Sequence, residues 1–396
     1  MKRLIVLTFA GLLFFSIFST PVVAERGMVK VMTQNQYLGA DLTPLVTAET
    51  PEEFFAEANV ALQQIAANNF PVRVQRFAKQ VALTKPDLIG LQEVYDFTLN
   101  GSNFGPPFVN HLDETISALA AKGQSYYVAA TLNNLDITVP IEGLGAVRVL
   151  DRDVILAREG VEVTSLSGDF STGGLCGVSI PNPAFPAFGP ELLVSTESEE
   201  GCNFTIFLEI PSPLGSAIKV ERGFVGVDAV VRGKTYRFVN THFEQKLPDP
   251  NNPGNAIFQS LQAAELVGTL IATTPPDMNL VLLGDFNSWS EDAPIAGITP
   301  PYQIIIGAGF ADVWDTNPLA RFDQGGLTCC EFSDLSNVTS DRYERVDIIF
   351  VKDTSFLPLS FVTGKIPIFP LSEPPNWASD HGGVFGKLIF KGGQME

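Results

Sequence analysis

A layered α/β domain with its sheets inside is the fold class this sequence predicts, and three observations carry it. Short apolar runs of strand length recur from residue 28 almost to the C-terminal end. Between them lie longer stretches whose apolar residues recur three and four positions apart, as on one face of a helix. The chain is 45% hydrophobic and only 17% charged, too apolar for a disordered chain and too aperiodic for collagen or a coiled coil. Its 396 residues suffice for roughly one large or two ordinary domains, each with a sizeable core.

The opening strand is Val29-Lys30-Val31-Met32-Thr33-Gln34. Residues 51–83 read as helix, because Pro51-Glu52-Glu53 is a good N-terminal start and helical periodicity follows. Asp87-Leu88-Ile89-Gly90-Leu91-Gln92 is a short buried strand, and residues 111–121 form a second helix with His111 on a surface face. Strands follow over 147–156, 223–231 and 235–241, then a helix over 256–273, then strands over 279–283, 346–351 and 383–390. Residues 167–216 stand apart as a Pro-rich excursion from the edge of one domain spanning 28–391, since the strand pattern resumes afterwards unchanged.

The N-terminus has the marks of an export signal. Lys2 and Arg3 precede an apolar stretch over residues 4–18, and Pro21-Val22-Val23-Ala24 ends in a small residue, so cleavage is expected after Ala24. An uncleaved membrane anchor is the alternative, but the stretch falls short of the roughly 20 residues a spanning helix needs. Secretion or a periplasmic location follows. Four cysteines suit an oxidising space, and no C-x-x-C pair points to structural zinc. Cys176–Cys202, closing the excursion, is the favoured bridge. Cys329 and Cys330 can form a strained vicinal bridge or stay as small buried hydrophobes, and the second is favoured because neighbours reach disulfide geometry with difficulty.

The formal charge is -19, which argues against a nucleic-acid packaging protein, because neutralising phosphates needs a basic surface. It does not exclude an enzyme that holds a phosphate briefly with help from divalent cations. Arg152, Arg222 and Arg345 are the only basic residues near the motifs below that are placed to contact a phosphate.

Six stretches put a carboxylate, amide or imidazole at the end of an apolar strand. They are Thr33-Gln34-Asn35, Leu91-Gln92-Glu93, Asn240-Thr241-His242, Gly284-Asp285-Phe286-Asn287, Arg345-Val346-Asp347 and Ser379-Asp380-His381. Strand ends in a layered α/β domain converge on one edge, so these side chains can meet in one cleft. Each stretch alone is weak, because Asn and Glu after a strand are usually turn formers or solvated. Gly284 strengthens its stretch by allowing close backbone approach. Two of the three histidines fall within the six, and His111 is left as structural. Hard oxygen donors with few histidines suit Mg²⁺, Mn²⁺ or Ca²⁺ better than zinc.

In this order along the chain, the six stretches resemble the endonuclease/exonuclease/phosphatase superfamily, whose members include secreted deoxyribonucleases, neutral sphingomyelinases and inositol polyphosphate phosphatases. The resemblance runs from Val29 to Phe390, and Gly-Asp-Phe-Asn and Ser-Asp-His are its most specific parts. It implies a four-layered α/β sandwich, two mixed sheets face to face with helices outside. It also implies roles. Asn35 and Glu93 match positions that hold the divalent metal, and Asp380 matches a further metal- or phosphate-side carboxylate. Asp285 and Asn287 match the pair orienting water and phosphate. His381 matches the catalytic base and Asp347 its carboxylate partner. His242 matches the second His, beside a phosphate oxygen, with Asp151 or Asp153 as the candidate carboxylate behind it.

The resemblance therefore implies a metal-dependent hydrolase acting on a nucleic acid or a phospholipid headgroup. A lipid substrate would favour transient contact with a membrane surface, and Pro183-Ala184-Phe185-Pro186-Ala187-Phe188 can supply an apolar element or be an ordinary Pro-fixed loop. A phosphomonoesterase would share the same metal cluster. A non-catalytic binding module would have lost a ligand position, and none is missing. Gln34 stands where many members carry Trp, and the stretch over 160–220 is longer than a compact member needs; both bear on substrate choice.

Overall fold

The computed structural model describes residues 27–390 apart from 142, 182–192, 199, 247–253, 319, 321–324, 353–355 and 366–373. The leader expected to end at Ala24 and the Pro-Phe hexapeptide at 183–188 lie outside the described residues.

Two mixed sheets pack face to face. In the first, β1 (Met28–Asn35) runs parallel to β2 (Leu88–Gln92) and antiparallel to the strand Val384–Phe390, with Phe356–Val362 at the edge. β3 (Asp96–Leu99) and β4 (Tyr126–Ile141) both pair with β5 (Gly145–Arg158), which lies beside β2. The second sheet centres on Gly223–Val231, Lys234–His242, Asn279–Asp285 and Asp347–Lys352, of which Lys234–His242 and Asn279–Asp285 are parallel.

Strand alternation sorts the apolar residues into layers. Val31, Leu88 and Ile155 face Phe238, Val281 and Ile349 across the central core. Their neighbours Met32, Ile89 and Leu156 point outward onto Phe77, Val81 and Leu119 of two covering helices. On the far side Val239, Leu282 and Phe350 meet Leu266, Leu270 and Ile305. Helix, sheet, sheet, helix is the four-layered α/β sandwich expected.

Among the described residues the α-helices are α1 (Thr43–Val46), α2 (Pro51–Asn68), α3 (Phe70–Thr84), α4 (His111–Ala121), α5 (Gly254–Thr273) and α6 (Pro301–Gly307). The stretch 51–83 is thus two helices. Pro71 lacks an N–H and would crowd the carbonyl four residues back, and Asn69 breaks the helix in the left-handed region at φ 40°. A capping box between Thr50 and Glu53 starts α2. His111 is structural but not on a surface: it is fully buried, stacked on Phe70 at 3.6 Å, and burial holds its pKa well below the ordinary value.

Within the excursion, Thr196–Ser198 and Gly201–Asn203 add a hairpin to the edge of the second sheet, and Leu208–Ile210 pairs with Ile218–Val220, just past its end, in a separate hairpin. Cys176 and Cys202 are bridged, with Cα atoms 5.3 Å apart. Cys329 and Cys330 are bonded to each other, the less favoured of the two alternatives, at an isolated antiparallel bridge that pairs Cys329 with Glu344 through both backbone groups.

Candidate active site

Sheet register assembles the site. His242, Asp285 and Asp347 are paired neighbours across three strands of the second sheet, while Asn35 pairs with Gln92 in the first. Gly284, at φ 151°, sits where a side chain would strike the Thr241 carbonyl, so the close approach expected there is required. The sheets are clasped at the same end. Gln92 Nε2 donates to Asn240 Oδ1 at 2.6 Å, and Asn240 Nδ2 donates to the Leu91 carbonyl at 2.9 Å. Gly90 leaves room for this, since a Cβ there would lie within 2.7 Å of Asn240 Oδ1.

His381 Nδ1 donates to Asp347 Oδ2 at 2.7 Å, which leaves Nε2 facing the cleft chemistry. Burial opposes a charge on this imidazole, but Asp347, Asp380 and Asp285 outweigh it and raise its pKa well above the ordinary value. Asp285 is itself buried and pushed up to about 6 by burial, which His381 opposes and Asp347 reinforces. Its Oδ1 accepts from the Asn287 backbone N–H at 3.0 Å and its Oδ2 from Asn35 Nδ2, also at 3.0 Å.

Asn35 reaches both carboxylates, donating from the same nitrogen to Glu93 Oε1 at 3.0 Å. Its Oδ1 is taken by the Tyr37 N–H, so as oriented it positions Glu93. Glu93 Oε2 accepts from the Leu38 N–H at 2.9 Å. Glu93 and Asn287 both hold positive φ, 55° and 45°, backbone strain of the kind that collects at functional sites.

The remaining expected residues fall as follows. His242 Nε2 lies 3.6 Å from Asp285 Oδ2 and 3.3 Å from Asn287 Nδ2. Its Nδ1 meets Arg222 Nη1 at 3.0 Å, and burial, then Arg222 and His381, hold its pKa well below the ordinary value. Asp151 does not pair with His242. It lies 3.4 Å from Arg222, which stands between them because its guanidinium also answers Glu244 at 3.9 Å. Burial pushes Asp151 up to about 7 and Asp153 well above its ordinary value. Of the three arginines expected near phosphate, Arg345 is buried on Asp312 at 2.6 Å, and Arg152 donates to the Val94 carbonyl and Asn110. Each is drawn inward by a partner that composition alone does not reveal.

Arg73 escaped the sequence reading. Fully buried, it donates to the carbonyls of Asn68, Gln36, Tyr37 and Ala378, the last two residues before Asp380. No local signal marks such a residue; an arginine inside an amphipathic helix reads as solvated.

The donors fit a hard divalent cation. Glu93 and Asp380 have no ion-pair partner among the described residues, and Asp380 is pushed up to about 6 by burial and the nearby Glu93 charge, which His381 opposes. The Glu93 and Asp380 carboxylates are hard oxygen donors suited to Mg²⁺ or Mn²⁺, and Asn35, whose amide oxygen is engaged by the Tyr37 N–H, orients Glu93. Such an ion, when bound, supplies charge neutralisation at a phosphoryl group. Asp285, Asp347 and His381 also bring donor atoms within 4.8 Å of one another, but the imidazole proton on Asp347 argues against an ion there.

A hydrogen-bonded His–Asp pair, a second buried His and a carboxylate cluster at the joined edges of two sheets define a metal-dependent phosphoesterase. The chain belongs to the Endonuclease/Exonuclease/phosphatase family, which it matches over residues 56–381. No curated protein matches it. Among solved structures, an endonuclease/exonuclease/phosphatase from Beutenbergia cavernae is 18% identical, with TM-score 0.50, covering 93% of this chain and 72% of that one. A mannosyl-6-phosphatase from Bacteroides thetaiotaomicron is 16% identical at TM-score 0.46, covering 91% and 100%. D. rerio TDP2 in complex with a single-strand DNA product is 13% identical at TM-score 0.44, covering 91% and 98%. The first of these likenesses speaks to the fold.

Proposed function

We propose that the chain is a secreted phosphodiester hydrolase that uses Mg²⁺, with Mn²⁺ as a substitute and Ca²⁺ as a weaker one. The observation that carries it is the His381–Asp347 pair, 2.7 Å apart, beside Asp285, with His242 on the neighbouring strand and Asn287 two residues beyond Asp285. In its neutral form His381 takes a proton from water at Nε2 for in-line attack, and the three surrounding carboxylates steady the imidazolium that forms. Asp285 and Asn287 orient that water and the phosphate, and His242 faces a phosphate oxygen. Glu93 and Asp380 would hold the cation. Export is supported by the apolar leader and the Cys176–Cys202 bridge.

The test is a panel of plasmid DNA, RNA, sphingomyelin, a chromogenic phosphodiester and a phosphomonoester, each with Mg²⁺, Mn²⁺, Ca²⁺ or chelator. Diester turnover that vanishes with chelator and returns with Mg²⁺ is the expected outcome. Full turnover in chelator, or turnover of the monoester alone, overturns it.

A further inference from the structure

A cavity of about 140 Å³ lies beside the site, walled by α1, α2, β4, β5 and the hairpin of Leu208–Ile210 and Ile218–Val220. Phe54 and Ala61 of α2, Ile137 of β4 and Ile218 of the hairpin are among its walls, and no charged or amide side chain lines it. Ile137 is only half-buried, and Val46 at the rim is 39% exposed, so the cavity opens to its surroundings and is not a sealed packing defect. An engineered apolar cavity of about 150 Å³ stays dry and takes up benzene or xenon, so this one can house roughly six carbons.

Two residues join cavity and site. Leu38 lines the cavity while its backbone N–H holds Glu93 Oε2 at 2.9 Å. Tyr95, two residues after Glu93, presents its ring to the same cavity. One molecule can therefore have a phosphoryl group at the carboxylates and an apolar tail behind Leu38. The formal charge of -19 and the inward pairing of Arg152 and Arg345 leave a polyanion little to hold, whereas a single phosphate on a hydrocarbon needs neither.

We infer that this cavity is a chain-binding subsite for the aliphatic tail of a phosphoester amphiphile, which makes the substrate class a lipid phosphoester and not a nucleic acid. The inference rests on the phosphodiester-hydrolase reading of the adjacent site, and its test separates the two.

The full chain is titrated calorimetrically with butyl, hexyl, octyl and dodecyl phosphate, each below its micelle concentration. Affinity should rise about fourfold per methylene, corresponding to about 0.8 kcal/mol, until the cavity is full, and then level off. Ala61→Phe fills the space and should weaken dodecyl phosphate at least tenfold. Should that variant fail to fold, Ile137→Trp fills it from the opposite wall, and the wild-type series stands alone in either case. Equal affinity along the series overturns the inference. So does sedimentation as a dimer that the longer phosphates dissociate, which assigns the cavity to a second copy of the chain. Turnover of bis(4-nitrophenyl) phosphate is measured alongside. Turnover without chain-length dependence overturns the subsite and keeps the hydrolase. Chain-length dependence without turnover of any diester keeps the subsite and overturns the hydrolase.

Discussion

Arg222 meets Nδ1 of His242 at 3.0 Å, and this contact decides which ring nitrogen carries the proton. A guanidinium only donates, so Nδ1 accepts and the hydrogen sits on Nε2, on the side of Asp285 and Asn287. With its pKa held well below the ordinary value, His242 is a neutral donor at any working pH. A glutamine amide can stand in for such a donor. His242→Ala should lower kcat by roughly 10²–10³, as loss of one preorganised donor does, and His242→Gln should retain at least about tenfold more activity. Equal loss in both variants would mean that the ring does more than donate.

Asp347 fixes the orientation of His381, and Asp347→Asn should remove that control. We expect kcat to fall by roughly 10³ or more with KM little changed, because the loss is in proton transfer and not in binding. Circular dichroism should stay native, since the Asp347 backbone N–H keeps its Thr328 hydroxyl partner. A rise in KM at constant kcat would make the pair a binding element.

Stability should respond to pH through Glu265. This fully buried residue of α5 accepts from the Thr205 N–H, and burial pushes it up to about 7 from its ordinary 4.5. The folded chain thus holds this proton more tightly than the unfolded one. Stability from this group is complete below pH 4.5, declines as pH rises, and is lost above about 7, on the order of 3 kcal/mol in all. Glu265→Gln should flatten that decline in urea midpoints between pH 5 and 7.5. An unchanged slope removes Glu265 as its source.

Arg73→Met keeps most of the side-chain volume and strands four carbonyl acceptors. A loss of about 3 kcal/mol or more is expected in urea unfolding. Activity should fall as well, because Ala378 leads directly into Asp380 and His381. A loss under about 1 kcal/mol would show that water replaces the guanidinium freely.

Much of this was legible in the sequence, and the reasons for the exceptions are physical. Strand ends such as Asp285 and His242 were readable because an apolar run must stop somewhere, and a polar group at its end has a defined direction. The long strand β4 was passed over. Asn133-Asn134 and Pro140 look like breakers, yet a register shift between Asn133 and Leu135 absorbs the first, and Pro140 pairs with Ala146 at the end of the strand. Pro358 likewise hid the strand Phe356–Val362, which tolerates it at a sheet edge. Arg222 was visible as a nearby cation, but its place between Asp151 and His242 depends on strand register across 71 residues, which no local pattern encodes.

The Gln92–Asn240 clasp has a consequence for how this molecule can fail. Glu93 and Asn35 belong to one sheet, while His242, Asp285 and Asp347 belong to the other, so neither sheet holds a usable fraction of the machinery. There is no half-enzyme to rescue. Catalysis becomes a gauge of inter-sheet docking, and pressure or mild denaturant that slides one sheet on the other silences the protein while each sheet keeps its ladder and its spectrum.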